Sequence, residues 1–374
     1  MFGSALAVEK FAQADWQGYA GRAERGVSVL AEACGQDALA ALAQFRRVRG
    51  LLGRAPQPDR TCHDPVTQMA AEVMANLPQI IELVATLSEG RLKGYAFLSQ
   101  GRPGAPLPVT MGTLLAAAFE LLVAEGRRDD AALLAEVFAL AFPRLGALGA
   151  LSPLAQGLII GVAPKGAQLA MKSYFNTRLD ATSGHGERIQ AILQRLGLTD
   201  HGLYHVVYGP NSPARFHGLG VDLDGDDHRR AKLYVRLEQP ELTPLLGALL
   251  SGLTHTGSAA THDLLLPIHA FEAALQHPSR IQEVELAVAL SSHAPPTLKV
   301  TYFFAGQTDP NVTLALLTQA LGQIGYIPPL AKLWQALTGP RDRTLSQAHP
   351  LHGVGIELPT GAPPKVNLYL QPTL

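Results

Sequence analysis

The clearest pattern in the chain is a two-residue alternation over residues 230–237, Arg-Ala-Lys-Leu-Tyr-Val-Arg-Leu. As a strand it places Arg230, Lys232, Tyr234 and Arg236 on one face and Ala231, Leu233, Val235 and Leu237 on the other. The pattern recurs at roughly 60- to 70-residue intervals. Residues 171–175 give Lys172 and Tyr174 on one face. Residues 298–304 give Lys299, Thr301 and Phe303, with Tyr302 behind, and residues 364–370 give Lys365, Asn367 and Tyr369. Each has a cation followed by an aromatic on one face and an apolar opposite face. A bulge in the third strand would bring Tyr302 round in place of Phe303.

The flanking sequence predicts hairpins at residues 158–176, 214–237, 284–304 and 354–370, split by turn residues such as Pro164-Lys165-Gly166 and Gly361-Ala362-Pro363. Apolar positions at helical spacing predict helices over residues 5–20, 27–48, 66–87, 129–142, 186–196, 240–253, 260–275, 311–324 and 329–337. Residues 56–65 read as a loop and 95–111 as an extended entry, while 113–125 fits helix or strand. Hairpins imply an antiparallel sheet. Its apolar face must be covered by the intervening helices, so the cation-and-aromatic face points inward. A closed antiparallel barrel inside a helical ring meets both demands and removes sheet edges. The predicted class is α+β, with residues 1–90 a helical segment packed on a barrel formed by residues 91–374.

Composition narrows the function. In 374 residues, 47% are hydrophobic and only 16% charged, enough for a large core. A net charge of −1 argues against nucleic acid or an anionic membrane as partner. Two cysteines imply no disulfide framework and fit a cytoplasmic setting. No secretory leader or bilayer-spanning segment is expected; the apolar run at 114–122 is interrupted by Glu120.

The residues Gly161-Val162-Ala163-Pro164-Lys165-Gly166 leading to Met171-Lys172-Ser173-Tyr174-Phe175 resemble the first signature of aromatic prenyltransferases of the dimethylallyltryptophan synthase type. So do Val221-Asp222-Leu223-Asp224 leading to Arg230-Ala231-Lys232-Leu233-Tyr234, and Gly355-Ile356-Glu357-Leu358 leading to Val366-Asn367-Leu368-Tyr369-Leu370. The resemblance covers about residues 90 to 374. It implies the ABBA fold, a ten-stranded barrel ringed by helices, and transfer of a prenyl group from an allylic diphosphate to a small aromatic acceptor such as an indole or carbazole. It implies no required cofactor, with Mg²⁺ inessential, and no nucleic-acid or membrane partner. Lys172, Arg230, Lys232, Lys299 and Lys365 would bind the diphosphate. Tyr174, Tyr234, Tyr369 and Phe303, or Tyr302 in its place, would shield the allylic cation.

The family carries a glutamate in its first strand, which holds the acceptor. The matching stretch is taken as residues 106–112, Pro-Leu-Pro-Val-Thr-Met-Gly, with no carboxylate. The family's second-strand arginine is also missing, with Glu120 near its place. Glu120, Glu357 or a histidine are candidates to replace the glutamate, and Thr110 and Asn367 are assigned to the acceptor pocket. Glu120 reads equally as a helix-surface residue.

Other motifs are weaker. The run at 222–227 fails EF-hand spacing and reads as a solvated turn. His255, His262 and His269, seven apart, read as packing or surface residues rather than ligands, so no metal site is assigned. Gly218, Gly220, Gly353 and Gly355 suggest a roomy lumen. A non-catalytic barrel binding an isoprenoid diphosphate, and a cyclase or hydrolase in the same pocket, remain open alternatives.

Overall fold

The computed structural model describes residues 16–53, 81–89, 91–99, 107–150, 157–165, 168–177, 185–198, 215–223, 229–237, 268, 270, 271, 273, 281–293, 296–304, 310–325, 330–338, 350–358 and 364–372. Ten strands form a closed barrel: β1 (Ile81–Ser88), β2 (Arg91–Ser99), β3 (Leu158–Lys165), β4 (Gln168–Phe175), β5 (Arg215–Leu223), β6 (Arg230–Leu237), β7 (Ile281–Ser291), β8 (Thr297–Phe304), β9 (Leu351–Leu358) and β10 (Lys365–Leu370). Each pairs antiparallel with its sequence neighbour, and β10 closes on β1 with Tyr369 opposite Val84. Seven described helices lie outside: α1 (Trp16–Ala33), α2 (Ala38–Leu52), α3 (Leu107–Ala124), α4 (Arg128–Ala141), α5 (His185–Arg195), α6 (Pro310–Gln323) and α7 (Leu330–Leu337). The expected α+β barrel with helices on its outer face is what the chain forms.

The core is the layer between strands and helices. Outward-facing Leu83, Leu87, Ile160, Val162, Met171, Leu233, Val300 and Ile356 are buried, each at most 1% exposed. These are the apolar faces of the alternating strands, and burying them drives closure. Helices are fixed locally as well as by packing. Asp37 caps α2 by accepting from the amides of Leu39 and Ala40 at 2.8 and 3.2 Å. That cap splits the single helix expected at 27–48 into α1 and α2. Gly126, at φ 77°, turns α3 into α4. Arg127 then donates to the carbonyls of Leu169 and Leu223 at 2.6 and 2.5 Å, tying the start of α4 to β4 and β5. The Tyr19 hydroxyl donates to the carbonyl of Ile81 and accepts from its amide, both at 2.9 Å, which anchors α1 on the first strand.

Three expectations are corrected. The helix predicted over 66–87 is a strand from Ile81 onward, and residues 95–99 belong to β2. Ile81-Glu82-Leu83-Val84-Ala85-Thr86-Leu87-Ser88 alternates with period two, and its pairing with both β2 and β10 outweighs the helical propensity of its Ala and Leu. The boundary at residue 90 therefore cuts through the first hairpin of the barrel. Residues 107–124 form a helix, not a first strand. By length and a mean hydropathy of 1.8, α3 is long and apolar enough to cross a membrane. Its buried Leu107, Met111, Leu114, Ala118 and Leu121 pack in the core layer. The helix expected at 240–253, the turn at 224–227 and the three spaced histidines lie outside the described residues.

Candidate functional site

Closure sends one face of every strand into the lumen, and the registers show which residues share it. Lys172 lies opposite Asp222, and Asp222 opposite Arg230. Tyr174 lies opposite Gly220, and Gly220 opposite Lys232. Tyr234 is level with Ala287, which lies opposite Lys299; Lys299 faces Glu357, and Glu357 faces Lys365. The four cation-and-aromatic strands thus converge on one interior.

At one end the cations gather around two carboxylates. Asp222 is 5% exposed, with the ammonium groups of Lys172 and Lys232 at 3.9 and 3.8 Å and a guanidinium nitrogen of Arg230 at 3.8 Å. Arg230 also donates to Glu357 at 3.0 Å and to the Thr297 hydroxyl at 3.2 Å. Burial pushes Asp222 and Glu357 upward, but the surrounding cations overcome it. Glu357 is held down to about 2, and Asp222 stays below the usual carboxylate range. Lys232 is pulled down to about 7, first by burial and then by Lys172 and Arg230, with Asp222 opposing. Burial also lowers Lys299, against the pull of Glu357 and Glu285. The three cations meet Asp222 at ion-pair rather than hydrogen-bond distance. A multiply charged anion offers them shorter, charge-assisted bonds.

Beyond the cations stands an aromatic belt. The Tyr174 and Tyr234 rings are 5.9 Å apart, and those of Phe303 and Tyr369 6.2 Å. The Lys299 ammonium lies 4.6 Å from the Tyr369 ring centroid and donates to its hydroxyl. Burial raises Tyr174, Tyr234 and Tyr369 above the usual tyrosine value, so all three are neutral phenols.

Past the belt the lumen turns acidic. On β6 the row runs from Arg230 to Arg236, and Arg236 lies opposite Glu285. Arg236 also pairs with Glu283. Glu82, 6% exposed, faces in from β1 and is hydrogen-bonded to Nδ1 of His352 on β9. The His352 ring lies 5.1 Å from Phe303. Burial raises Glu285 to about 7, with Lys299 opposing. Burial lowers His352, but its bond to Glu82 together with the charges of Glu82, Glu283 and Glu285 outweighs that and holds it above the usual histidine value.

The structure brings together Lys172, Arg230, Lys232, Lys299, Glu357, Tyr174, Tyr234, Phe303, Tyr369 and Asn367, with Lys365 at the exposed rim. Asn367 accepts from the Thr86 hydroxyl at 2.9 Å across the β1–β10 seam. Three assignments fail. Tyr302 points outward and packs on Phe271 with centroids 5.5 Å apart; strand parity holds in β8, and the bulge lies in β7 instead. Thr110 and Glu120 sit on α3, Thr110 buried and Glu120 exposed, neither in the lumen. Three lumen residues escaped the sequence reading. Asp222 was absorbed into an acidic turn, although its parity with Gly220 marks it as lumenal. Glu82 was read as the end of a helix, so the first strand does carry a carboxylate. His352 sits at the β9 register shift, where alternation breaks. The second-strand lumen positions are Gly94, Ala96 and Leu98, and past the register shift Arg91, opposite Ser88, stands exposed at the barrel's end. The space left by strand glycines is filled. A β-carbon on Gly220 would meet Tyr234 at 3.0 Å, one on Gly353 would meet Phe303 at 3.0 Å, and one on Gly355 would overlap Lys299. Among the described residues no set of three His, Cys, Asp or Glu side chains is placed to hold a metal ion.

No protein-family profile and no curated protein sequence matches the chain. Solved structures do. The 6-dimethylallyltryptophan synthase from Micromonospora olivasterospora, in complex with DMASPP and Trp, aligns at a TM-score of 0.65 and 16% identity, over 94% of this chain and 96% of that one. The 5-dimethylallyltryptophan synthase from Streptomyces coelicolor aligns at 0.61 and 16%, over 93% and 96%. AnaPT from Neosartorya fischeri aligns at 0.68 and 16%, over 97% and 95%. The ten-stranded barrel with its helical ring is therefore the ABBA fold.

Proposed function

We propose that this ABBA barrel is an aromatic prenyltransferase that moves a dimethylallyl or longer prenyl group from an allylic diphosphate to an electron-rich aromatic ring. The carrying observation is the order along the lumen: cations around Asp222 and Glu357, then four aromatic rings, then Glu82 with His352. Similar folds solved with DMASPP and Trp, and with product diphosphate, support the reading.

Lys172, Arg230, Lys232 and Lys299 take the diphosphate, with Lys365 at the rim. Their positive field stabilises the departing diphosphate, which lets the reaction proceed without a metal ion. Tyr174, Tyr234, Phe303 and Tyr369 surround the allylic cation. Each face contributes about 0.5 to 2 kcal/mol, and together they exclude the water that would quench it. Glu82, rather than Glu120 or Glu357, is the carboxylate placed to accept an N–H or O–H of the acceptor, since Glu357 is engaged by Arg230. Asn367 and Thr86 line the lumen between the level of Tyr369 and the Lys365 rim. The enzyme is placed in the cytoplasm, in line with its free Cys34 and near-zero net charge.

The test is turnover of dimethylallyl and geranyl diphosphate with indoles, carbazoles and phenols in the presence of EDTA, followed by mass spectrometry. Prenylated product with EDTA present is expected. Prenyl alcohol alone, with every acceptor, would replace the reading by a hydrolase, and a cyclised prenyl product by a cyclase. Absence of any diphosphate release would reject transferase, hydrolase and cyclase alike and leave a non-catalytic barrel.

A further inference from the structure

We propose that His352, oriented by Glu82, is the base that takes the proton from the prenylated ring. The inference rests on the transferase reading above and adds the residue that completes it. In a ring alkylation the C1–O bond breaks and its electron pair leaves on the diphosphate. A π pair of the acceptor forms the new C–C bond to C1. The ring is then cationic until the C–H proton at that carbon departs and its bond pair returns to the ring. That proton needs an acceptor at the end of the lumen remote from the leaving group.

Most lumen groups fail as that acceptor. Asp222 and Glu357 sit among the cations where the diphosphate binds, and both are held as weak bases by Arg230, Lys232 and Lys299. Tyr174, Tyr234 and Tyr369 are neutral phenols. Glu285 lies opposite Arg236, with the charge of Lys299 also bearing on it. The His352 side chain, in contrast, is 41% exposed, and its ring borders Phe303 of the aromatic belt. Its Nδ1 meets Oε1 of Glu82, so in the neutral ring Nδ1–H donates to the carboxylate and Nε2 carries the lone pair. Proton transfer to Nε2 creates an imidazolium already facing a carboxylate. The groups bearing on it are Glu82 from β1 and Glu283 and Glu285 from β7, with Arg236 of β6 paired to Glu283.

The experiment uses the full chain, dimethylallyl diphosphate and an acceptor that wild type prenylates, with protium or deuterium at the attacked carbon. Binding of dimethylallyl thiolodiphosphate and a thermal melt first establish that His352→Gln is folded with its diphosphate end intact. The variant should lose kcat by roughly a hundredfold or more, the usual scale of general-base catalysis. A primary deuterium isotope effect should appear as deprotonation becomes rate-limiting, and the acidic limb of the wild-type kcat profile should vanish. Glu82→Gln should keep that limb but shift it to lower pH, because the imidazolium loses its partner. Glu285→Gln should shift the limb in the same direction but by less than Glu82→Gln, because Glu285 is the smallest of the charges bearing on the ring. A His352→Gln enzyme with near-wild-type kcat, no isotope effect and an unchanged limb would overturn the assignment while leaving the transferase reading intact. If wild type alkylates no acceptor, the transferase reading itself falls, and this assignment with it.

Discussion

Gly355 and Lys299 occupy one space: a β-carbon on Gly355 would overlap Cε of Lys299 and stand 3.1 Å from its Nζ. The glycine on β9 is what allows the lysine of β8 to lie along the barrel wall and aim its ammonium at Tyr369 and the cation cluster. Gly355→Ala should therefore displace Lys299 without altering the fold. Loss of one charge-assisted contact, on the order of 1.5 to 3 kcal/mol, should weaken prenyl diphosphate binding roughly ten- to hundredfold. Calorimetric titration with the thiolodiphosphate measures it, and unchanged affinity would detach Lys299 from the diphosphate site.

Under the proposed function, Lys232 serves binding at the expense of stability. Its value in the fold is about 7, depressed by burial from the ordinary lysine value, so the folded state disfavours its charge. That cost is full below about pH 7 and shrinks as pH rises towards the unfolded-state value, by about 1.4 kcal/mol per unit. Lys232→Met should raise the melting temperature most at pH 6 and progressively less above 7, while abolishing diphosphate binding. A variant that melts lower at pH 6 would contradict this.

Glu357 and Glu285 act in opposite pH windows. Glu357 is depressed to about 2, so its stabilising contribution is present above the unfolded carboxylate value and lost as pH falls towards 2. Glu285 is raised to about 7, so its contribution is present below the unfolded value and lost as pH climbs through 7. Glu357→Gln should lower stability at neutral pH by roughly 3 kcal/mol and flatten the acid limb of the denaturation curve. Glu285→Gln should instead flatten the curve between about pH 4.5 and 7. Denaturant melts across pH 2 to 8 separate the two, and matching profiles would contradict the assignment.

Two tyrosines, one on β6 and one on β8, should behave differently. Tyr234 faces the lumen beside Tyr174, whereas Tyr302 packs outward on Phe271. Tyr234→Ala opens the cation to water, so the ratio of prenyl alcohol to prenylated product should rise. Tyr302→Ala leaves a cavity in the outer layer, costing about 3 to 5 kcal/mol of stability, and should leave the product ratio unchanged.

Much of this was legible from alternation alone. The lysine, arginine and tyrosine rows of β4, β6, β8 and β10 read as lumenal because period two leaves only two faces, and the apolar one had to meet helices. The first hairpin was hidden because Leu83, Ala85 and Leu87 suit a helix as well as a strand; only pairing with β2 and β10, far away in the case of β10, decides between them. With that strand misplaced, Glu82 was lost and Thr110 and Glu120 were put in its stead. Asp222 was obscured by the aspartates that follow it. His352 lies at a register shift, where counting by twos stops working. The first-strand and His352 misses turn on non-local pairing that the local pattern does not carry, whereas Asp222 is readable from its parity with Gly220.

The most direct measurement is the position of dimethylallyl thiolodiphosphate in a crystal structure of the chain. The diphosphate should lie within hydrogen-bonding reach of Lys172, Arg230, Lys232 and Lys299, with the prenyl tail between Tyr174, Tyr234 and Tyr369. A ligand bound outside the barrel, or one lying with its phosphates against Glu82 and Glu285, would contradict it.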